Sequence, residues 1–467
     1  MLKWLLGLMS FLIMPLAFGA DIDGSSLSLA WGIPFAGLLL SIALFPLFAG
    51  HFWHHHFGKV ALFWALVLII PLIMHFGANT TGHLLFHAAI LEYVPFILLL
   101  LALYVTSGGI VLNIRLSGSP YCNTLLLLIG SVLASIMGTT GTSMLLIRPL
   151  LRATQHRQYR VHTFVFFIFL VANIGGSLSP LGDPPLFLGF LKGVSFFWPL
   201  QHLWLPTSTV CIILLTVYFL LDSYYYRKEG RLDNHVACEP QQFSLAGYQN
   251  IALLVLVVIS VLLSGLFKND VSYVVYGTAI PLNGMLRDIA LLVIAIVSYR
   301  VTSKAIHEKN SFSWFPMIEV GKLFAAIFAT IIPVIAILKA GKEGHLSSLI
   351  QMVTNPETNE PINLAYFWIT GTLSSFLDNA PTYLVFFNMA GGDAATLMSS
   401  LSSTLAAISM GAVYMGAMTY IGNAPNFMVR SIAIENKVNM PSFFGYMLWS
   451  CCILLPVFAL VTFVMFY

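Results

Sequence analysis

The chain is expected to be an all-α polytopic membrane protein. It should consist of two inverted repeats of five crossings, each with a re-entrant hairpin and a broken helix. Three observations predict this. Of 467 residues, 58% are hydrophobic and 8% charged, with a mean hydropathy of +0.89; a soluble domain carries about a quarter charged residues. Most of the surface must therefore face lipid, which excludes a soluble enzyme, a nucleic-acid binder and a disordered scaffold. The apolar residues fall into long stretches separated by short polar loops. Two sequence blocks recur at one constant offset.

Residues 1–20 (MLKWLLGLMSFLIMPLAFGA) begin with a positive Lys3, continue apolar, and end in the small residues Ala17, Gly19 and Ala20 before the polar Asp21-Ile22-Asp23. This pattern is that of a cleaved secretory signal. The alternative is a retained first helix, although the run is short for a span of about 20 residues. With either reading, the chain after Asp21 starts outside.

The following stretches are 29–50, 58–77, 89–112, 122–151, 159–200, 203–222, 249–267, 287–301, 318–341, 364–391, 395–435 and 441–465. Segments 122–151 and 364–391 have polar centres, Gly138-Thr139-Thr140-Gly141-Thr142 and Asp378-Asn379-Ala380-Pro381-Thr382, and are expected to be re-entrant hairpins. Segments 159–200 and 395–435 are too long for one span. They break at Gly/Pro knots, at 177–185 and 419–425, and are expected to cross once each. Ten crossings result, dividing into repeat 1 (29–222), a cytoplasmic linker (223–248) and repeat 2 (249–467).

This path gathers fifteen basic residues inside: Lys59, Arg115, Arg148, Arg152, Arg157, Arg160, Arg227, Lys228, Arg231, Arg300, Lys304, Lys309, Lys322, Arg430 and Lys437. Five stay outside: Lys192, Lys268, Arg287, Lys339 and Lys342. The bias obeys the positive-inside rule.

The repeat aligns Gly176 through Phe187 with Gly416 through Phe427 at an offset of 240 residues, and the same offset sets Ser135 on Ser375 and Thr142 on Thr382. Five crossings per half is an odd number, so the second half must be inverted. Inverted repeats with broken helices mark secondary transporters, whose sites lie at the repeat interface near the midplane.

A backbone break in lipid is tolerated only where it is buried in protein or lines a cavity. The candidate ion- or substrate-binding residues are therefore those at the breaks and tips: Thr139, Thr140, Thr142, Gly182, Asp183, Asp378, Asn379, Thr382, Gly422 and Asn423. Their hydroxyl, amide, carboxylate and backbone oxygens suit a hard cation, and Asp183, Asp378, Asn379 and Asn423 are the expected metal-ion ligands. The two acids stand at non-equivalent places, since Asn423 matches Asp183 and Gly138 matches Asp378. Each acid either holds an ion or proton, or caps a half-helix.

The cluster His51, His54, His55, His56 is expected in an interfacial amphipathic loop, with metal binding or pH sensing as the alternative. Arg148 is expected as an inner-surface anchor or an anion contact, and Glu92 at the outer interface. Five cysteines, including the adjacent Cys451 and Cys452, show neither metal spacing nor a disulfide framework.

At these motifs the chain resembles the ion transporter superfamily. That group includes NhaD-type sodium/proton antiporters, arsenite permeases, citrate transporters and divalent-anion/sodium symporters. Asp378-Asn379-Ala380-Pro381 is similar to the Asp-Asn-x-Pro tip of the antiporter and arsenite branches. The stretches HFWHHHFGKVALFW, MGTTGTSMLLIRPLLRA and NIGGSLSPLGDPPLFLGFLKG resemble a bacterial branch assigned to sodium:proton antiport or citrate transport.

The resemblance implies a homodimer in the lipid bilayer of a bacterial inner membrane, with hairpins and broken helices moving as an elevator. It implies no cofactor beyond the transported Na⁺ and H⁺, and no nucleic-acid partner. The chain departs from the divalent-anion symporters, which carry Ser-Asn-Thr at both tips. The expected function is sodium/proton antiport; the alternative is cation-coupled symport of citrate or another carboxylate. An intramembrane enzyme is the reading from another class; no His-Glu-x-x-His or nucleophile elbow occurs in the spans.

Overall fold

In lipid, backbone N–H and C=O groups must be satisfied within the chain, and helices do this segment by segment. The computed structural model describes residues 22–113, 117–230, 244–267 and 271–466. The leader expected at 1–20, the middle of the 223–248 linker, Cys238 and the basic residues Arg115, Arg231 and Lys268 lie outside the described residues.

In the first half, α1 (Ile33–Phe48) and α2 (Gly50–Phe76) lead to α3 (Ala78–Ala88), which passes through one π turn (Ala89–Tyr93) into α4 (Val94–Gly108). Strand β1 (Val111–Asn113) follows. The first hairpin is α5 (Pro120–Met137) and α6 (Thr139–Thr154), and it turns at Gly138 with φ +83°. That left-handed angle favours glycine. Helix α7 (Val161–Leu170) runs into a 3₁₀ turn (Ile174–Leu178), breaks, and resumes as α8 (Pro184–Leu191) before α9 (Trp198–Lys228).

Strand β2 (Ser244–Ala246) pairs antiparallel with β1. Helix α10 (Gln249–Leu266), the hairpin β3 (Ser272–Val275)–β4 (Thr278–Pro281), α11 (Leu282–Val301) and α12 (Lys304–Lys309) follow. Next come α13 (Phe315–Thr330), α14 (Ile332–Lys339) and α15 (Ser347–Met352). The second hairpin is α16 (Asn363–Phe376) and α17 (Asn379–Met389). After α18 (Ala394–Met398), helix α19 (Ser402–Met415) ends in a 3₁₀ turn (Gly416–Met418), breaks, and resumes as α20 (Ala424–Glu435); α21 (Phe443–Phe466) closes the chain.

The chain is thus an all-α polytopic membrane protein. Among the described residues, ten helical stretches are long and apolar enough to cross a membrane. The number equals the expected one, but the membership differs. The hairpin arm α5 qualifies on length, and the run from α19 to Met418 does not.

Three other expectations shift. The histidines expected in a loop form the first turns of α2. The helix expected over 203–222 extends from Trp198 to Lys228. The span expected over 318–341 is interrupted at Ile331, where Pro333 occupies the second position of α14.

Burial locates the centre. The Val161–Leu178 stretch is 89% buried, against 28% for the Gly50–Phe76 helix. Phe164 through Ala172 have no exposed surface. A helix apolar and buried on every side is a core helix, while one buried on a single side faces lipid.

The loops sort into two groups by contact. In one, Arg152 bonds Asn113 and Leu112 O, Arg157 bonds Gly118 O, Asn250 bonds Gly109 O, Asn310 bonds Gly108 O, and Arg160 bonds Asn436 O. In the other, Lys192 meets Glu92, Tyr276 meets Asn79, and Ser195 N meets Met398 Sδ. This is the same partition that the charge count makes. Glu92, expected to reach the interface, is instead half-buried in an ion pair with Lys192 at 2.6 Å.

Candidate functional site

Proline suits the first turn of a helix, where its missing N–H costs nothing, and both broken helices resume with one: Pro184 and Pro185 open α8, and Pro425 is the second residue of α20. Past Leu178 the chain is extended at Ser179 (φ −150°, ψ 160°) and again at Asp183 (φ −142°, ψ 144°). The second break repeats this at Thr419 (φ −134°, ψ 168°) and Asn423 (φ −150°, ψ 138°).

The hydrogen bonds repeat as well. Ser179 Oγ donates to Ser135 O, and Thr419 Oγ1 donates to Ser375 O. Ser135 Oγ donates to Gly175 O at 2.5 Å, and Ser375 Oγ to Met415 O at 3.1 Å. Leu181 N donates to Ser179 Oγ, and Ile421 N to Thr419 Oγ1. Every matched residue is 240 positions from its counterpart. The repeat is therefore present in local geometry as well as in residue identity.

Each break folds back on itself. A Cβ on Gly182 would lie 2.0 Å from Gly176 O, and one on Gly422 would lie 2.6 Å from Gly416 O. The first hairpin tip is pinned to the first break by Thr139 N donating to Gly182 O at 2.9 Å.

Asp183 sits where these pieces meet and is 2% exposed. Its Oδ1 accepts from Thr139 Oγ1 at 3.0 Å and from Asn423 Nδ2 at 3.0 Å. Its Oδ2 accepts from Asn379 Nδ2 at 2.5 Å. Thr139 and Asn379 are 240 residues apart, and so are Asp183 and Asn423. The carboxylate and its three donors thus form two equivalent pairs, one member of each from either half.

The other sequence candidates divide. Among the described residues, Asn379 Oδ1 and Thr142 Oγ1 are buried without a hydrogen-bond partner; an unmet buried polar atom costs about 1–3 kcal/mol, so both are open to a ligand. Thr140 lines the adjoining cavity. Thr382 Oγ1 donates to Asp378 O at 2.9 Å. Asp378 caps α17, its Oδ1 accepting from Ala380 N at 3.0 Å, and it is only half-buried. Both acids thus precede a helix at the junction, but the Asp183 carboxylate takes its bonds from side chains of both halves, whereas that of Asp378 is spent on the start of α17.

Sequence reasoning missed Asn173. Its Oδ1 accepts from Asn423 Nδ2 at 3.2 Å, and its Nδ2 donates to Asn426 Oδ1 at 2.7 Å and to Ile168 O at 2.8 Å. Asn426 in turn donates to Gly416 O and Thr419 O. The available signal was a lone amide ending an otherwise apolar run, just ahead of Gly175-Gly176.

A cavity of about 120 Å³ adjoins Asp183. Thr139, Thr140 and Asp183 form its polar corner; Phe96, Leu99 and Leu103 of α4 and Met317 and Val320 of α13 form apolar walls. Among the described residues, no lysine or arginine lines it.

Four helical runs end at this junction, at Met137, Leu178, Phe376 and Met418, and four begin, at Thr139, Pro184, Asn379 and Ala424. Each end carries roughly half a charge, negative at a C-terminus and positive at an N-terminus. Taken together these cancel, which leaves the sign of the site to Asp183 and Asp378, both acids.

Elsewhere, His54 stacks on Phe315 with ring centroids 4.5 Å apart. Among the described residues, no three His, Cys, Asp or Glu converge as a metal group. Arg157, counted among the basic residues inside, is buried and paired with Asp222 at 2.9 Å and with Glu229 at 2.5 Å.

Two hairpins that meet two broken helices in the core of a polytopic bundle define the class: this is the architecture of secondary transporters. Residues 24–466 match the model of a family described as "Putative citrate transport". The match spans nearly the whole chain, and the chain belongs to that family. No curated protein matches it.

Proposed function

We propose that this transporter exchanges Na⁺ for H⁺ and that Asp183 is the group that holds either one. The observation that carries the reading is the lone buried carboxylate ringed by neutral donors from both halves. With the helix ends cancelling, the site is negative and accepts a proton or a metal ion in turn. Thr139, Thr140, Thr142, Asn379 and Asn423 would provide further oxygens, and carbonyls at the half-helix C-termini suit a cation. Asp378, at the tip of the second hairpin next to Asn379, serves as a second acid.

The hairpins enter from opposite groups of loops, which supports an inverted arrangement. An elevator motion of hairpins and broken helices, in a homodimer of the bacterial inner membrane, completes the reading. Neither exchange nor carriage needs an enzyme activity.

The family description favours a second reading, cation-coupled carriage of citrate. Under it, the cation at Asp183 would bring the positive charge that the cavity lacks. Ion-dependent dissipation of ΔpH in inverted vesicles, scanned over Na⁺, Li⁺, K⁺ and citrate, decides between them. Antiport predicts a response to Na⁺ without citrate that is lost in Asp183→Asn. A response that needs citrate would replace the first reading with the second.

A further inference from the structure

A second cavity, of about 370 Å³, opens at the far end of the first hairpin. Its walls come from four places: Arg148 and Arg152 on α6, Asn113 on β1, Lys309 and Asn310 at the end of α12, and Asn436 just past α20. Three cations line it, and none of them forms an ion pair among the described residues. Arg152 is held by neutral acceptors, Asn113 Oδ1 and Leu112 O, both at 3.1 Å, and Arg148 O at 3.4 Å. Glu435 lies within electrostatic reach of Arg148, which leaves the cavity with a net charge of about +2.

Three other cations among the described residues sit in ion pairs. Arg157 takes two carboxylates, Lys192 takes Glu92, and Arg287 takes Asp288. Like charges crowded around a concave wall repel one another unless something sits between them. Guanidinium forks match the geometry of phosphate and carboxylate oxygens. The amide of Asn310 is already spent on Gly108 O and Ile110 O, so it fixes the wall while the cations remain free for a guest.

We propose that this cavity binds a multivalent oxyanion, held by Arg148, Arg152 and Lys309. The guest chemistry is a phosphate or a compact polycarboxylate. Its source is either a soluble anion or the headgroup of an anionic lipid. The proposal stands apart from the ion exchanged at Asp183, since no residue lines both cavities.

Two measurements on the full chain test it. In the first, the detergent-purified protein is titrated calorimetrically with inorganic pyrophosphate, and in parallel with citrate. In the second, phosphatidylglycerol retained by the protein is counted by native mass spectrometry after reconstitution and extraction. Binding in the titration assigns a soluble source, and retained lipid assigns a headgroup.

Either result should weaken about tenfold or more for each cation removed, as expected for a charge-assisted hydrogen bond. The variants are Arg148→Gln, Arg152→Gln and Lys309→Gln. Lys309 is exposed on a short helix, so its variant is read without risk to folding. Failure of the wild type to bind in both measurements, or unchanged binding in Lys309→Gln and Arg148→Gln, overturns the proposal.

Discussion

A charged carboxylate deep in a membrane protein costs about 2.5–3.5 kcal/mol on insertion scales. Asp183 accepts three hydrogen bonds, and a bond to a charged group contributes about 1.5–3 kcal/mol. These terms are large enough to hold the empty carboxylate without a basic partner, so removing its charge tests function more than folding. Asp183→Asn should abolish exchange at matched expression. One of its amide hydrogens would face an existing donor, Asn379 Nδ2, which costs about 1–3 kcal/mol and leaves a folded protein. Vesicle ΔpH assays and thermal unfolding read the two effects separately, and normal exchange in this variant would return Asp183 to a capping role. Asp378→Asn is expected to behave differently. Its acceptor oxygen is retained for Ala380 N, and no hydrogen bond joins its carboxylate to the first half. Exchange should fall yet persist, and complete loss would place Asp378 inside the ion site beside Asp183.

At the scale of elements, the breaks act as rigid joints. Gly176 and Gly182 clasp each other so closely that a methyl group at Gly182 would strike backbone rather than a movable side chain. Gly182→Ala should lower stability by about 1–3 kcal/mol and also pull Asp183 away from Thr139. The readouts are a lowered melting temperature together with weakened ion-dependent stabilisation; a variant with wild-type values in both would show the clasp to be loose. These joints were legible in the sequence because glycine, proline and hydroxyl residues stand out in an apolar chain. The tips and breaks were found where they lie, and so was the 240-residue offset. What was not legible has physical causes. The polar first turns of α2 look like a loop because an interfacial helix end carries the same residues as a turn. The four short strands are too brief to show an alternating pattern. Charge counting placed Arg157 inside without its ion pairs, since it weighs sign and position but not partners, and Asp222 and Glu229 become neighbours only through folding. Asn173 was missed because its partners lie 250 and 253 residues away.

For the whole molecule, the contacts sort the loops into two ends, and the positive-inside rule orients them. The first hairpin begins and ends with the basic group, where Gly118 and Arg157 meet at 2.9 Å. The second begins and ends with the other group, where Asn363 receives Thr404 Oγ1 at 2.7 Å. Their tips nevertheless share one carboxylate, so they must reach it from opposite directions. In the exchanger proposed above, each hairpin would separate the site from one aqueous phase, which is what alternating access requires. In a cysteine-free background, Ser303→Cys, exposed just ahead of α12, should resist an impermeant maleimide applied to intact cells. Thr354→Cys, in the loop before the second hairpin, should react. Asn234→Cys, in the central linker, should resist like Ser303→Cys. Opening the membrane should make Ser303→Cys and Asn234→Cys reactive while leaving Thr354→Cys unchanged. Labelling of Ser303→Cys and Thr354→Cys from the same side would place both hairpins at one face, and the shared carboxylate could then not be exposed to each side in turn.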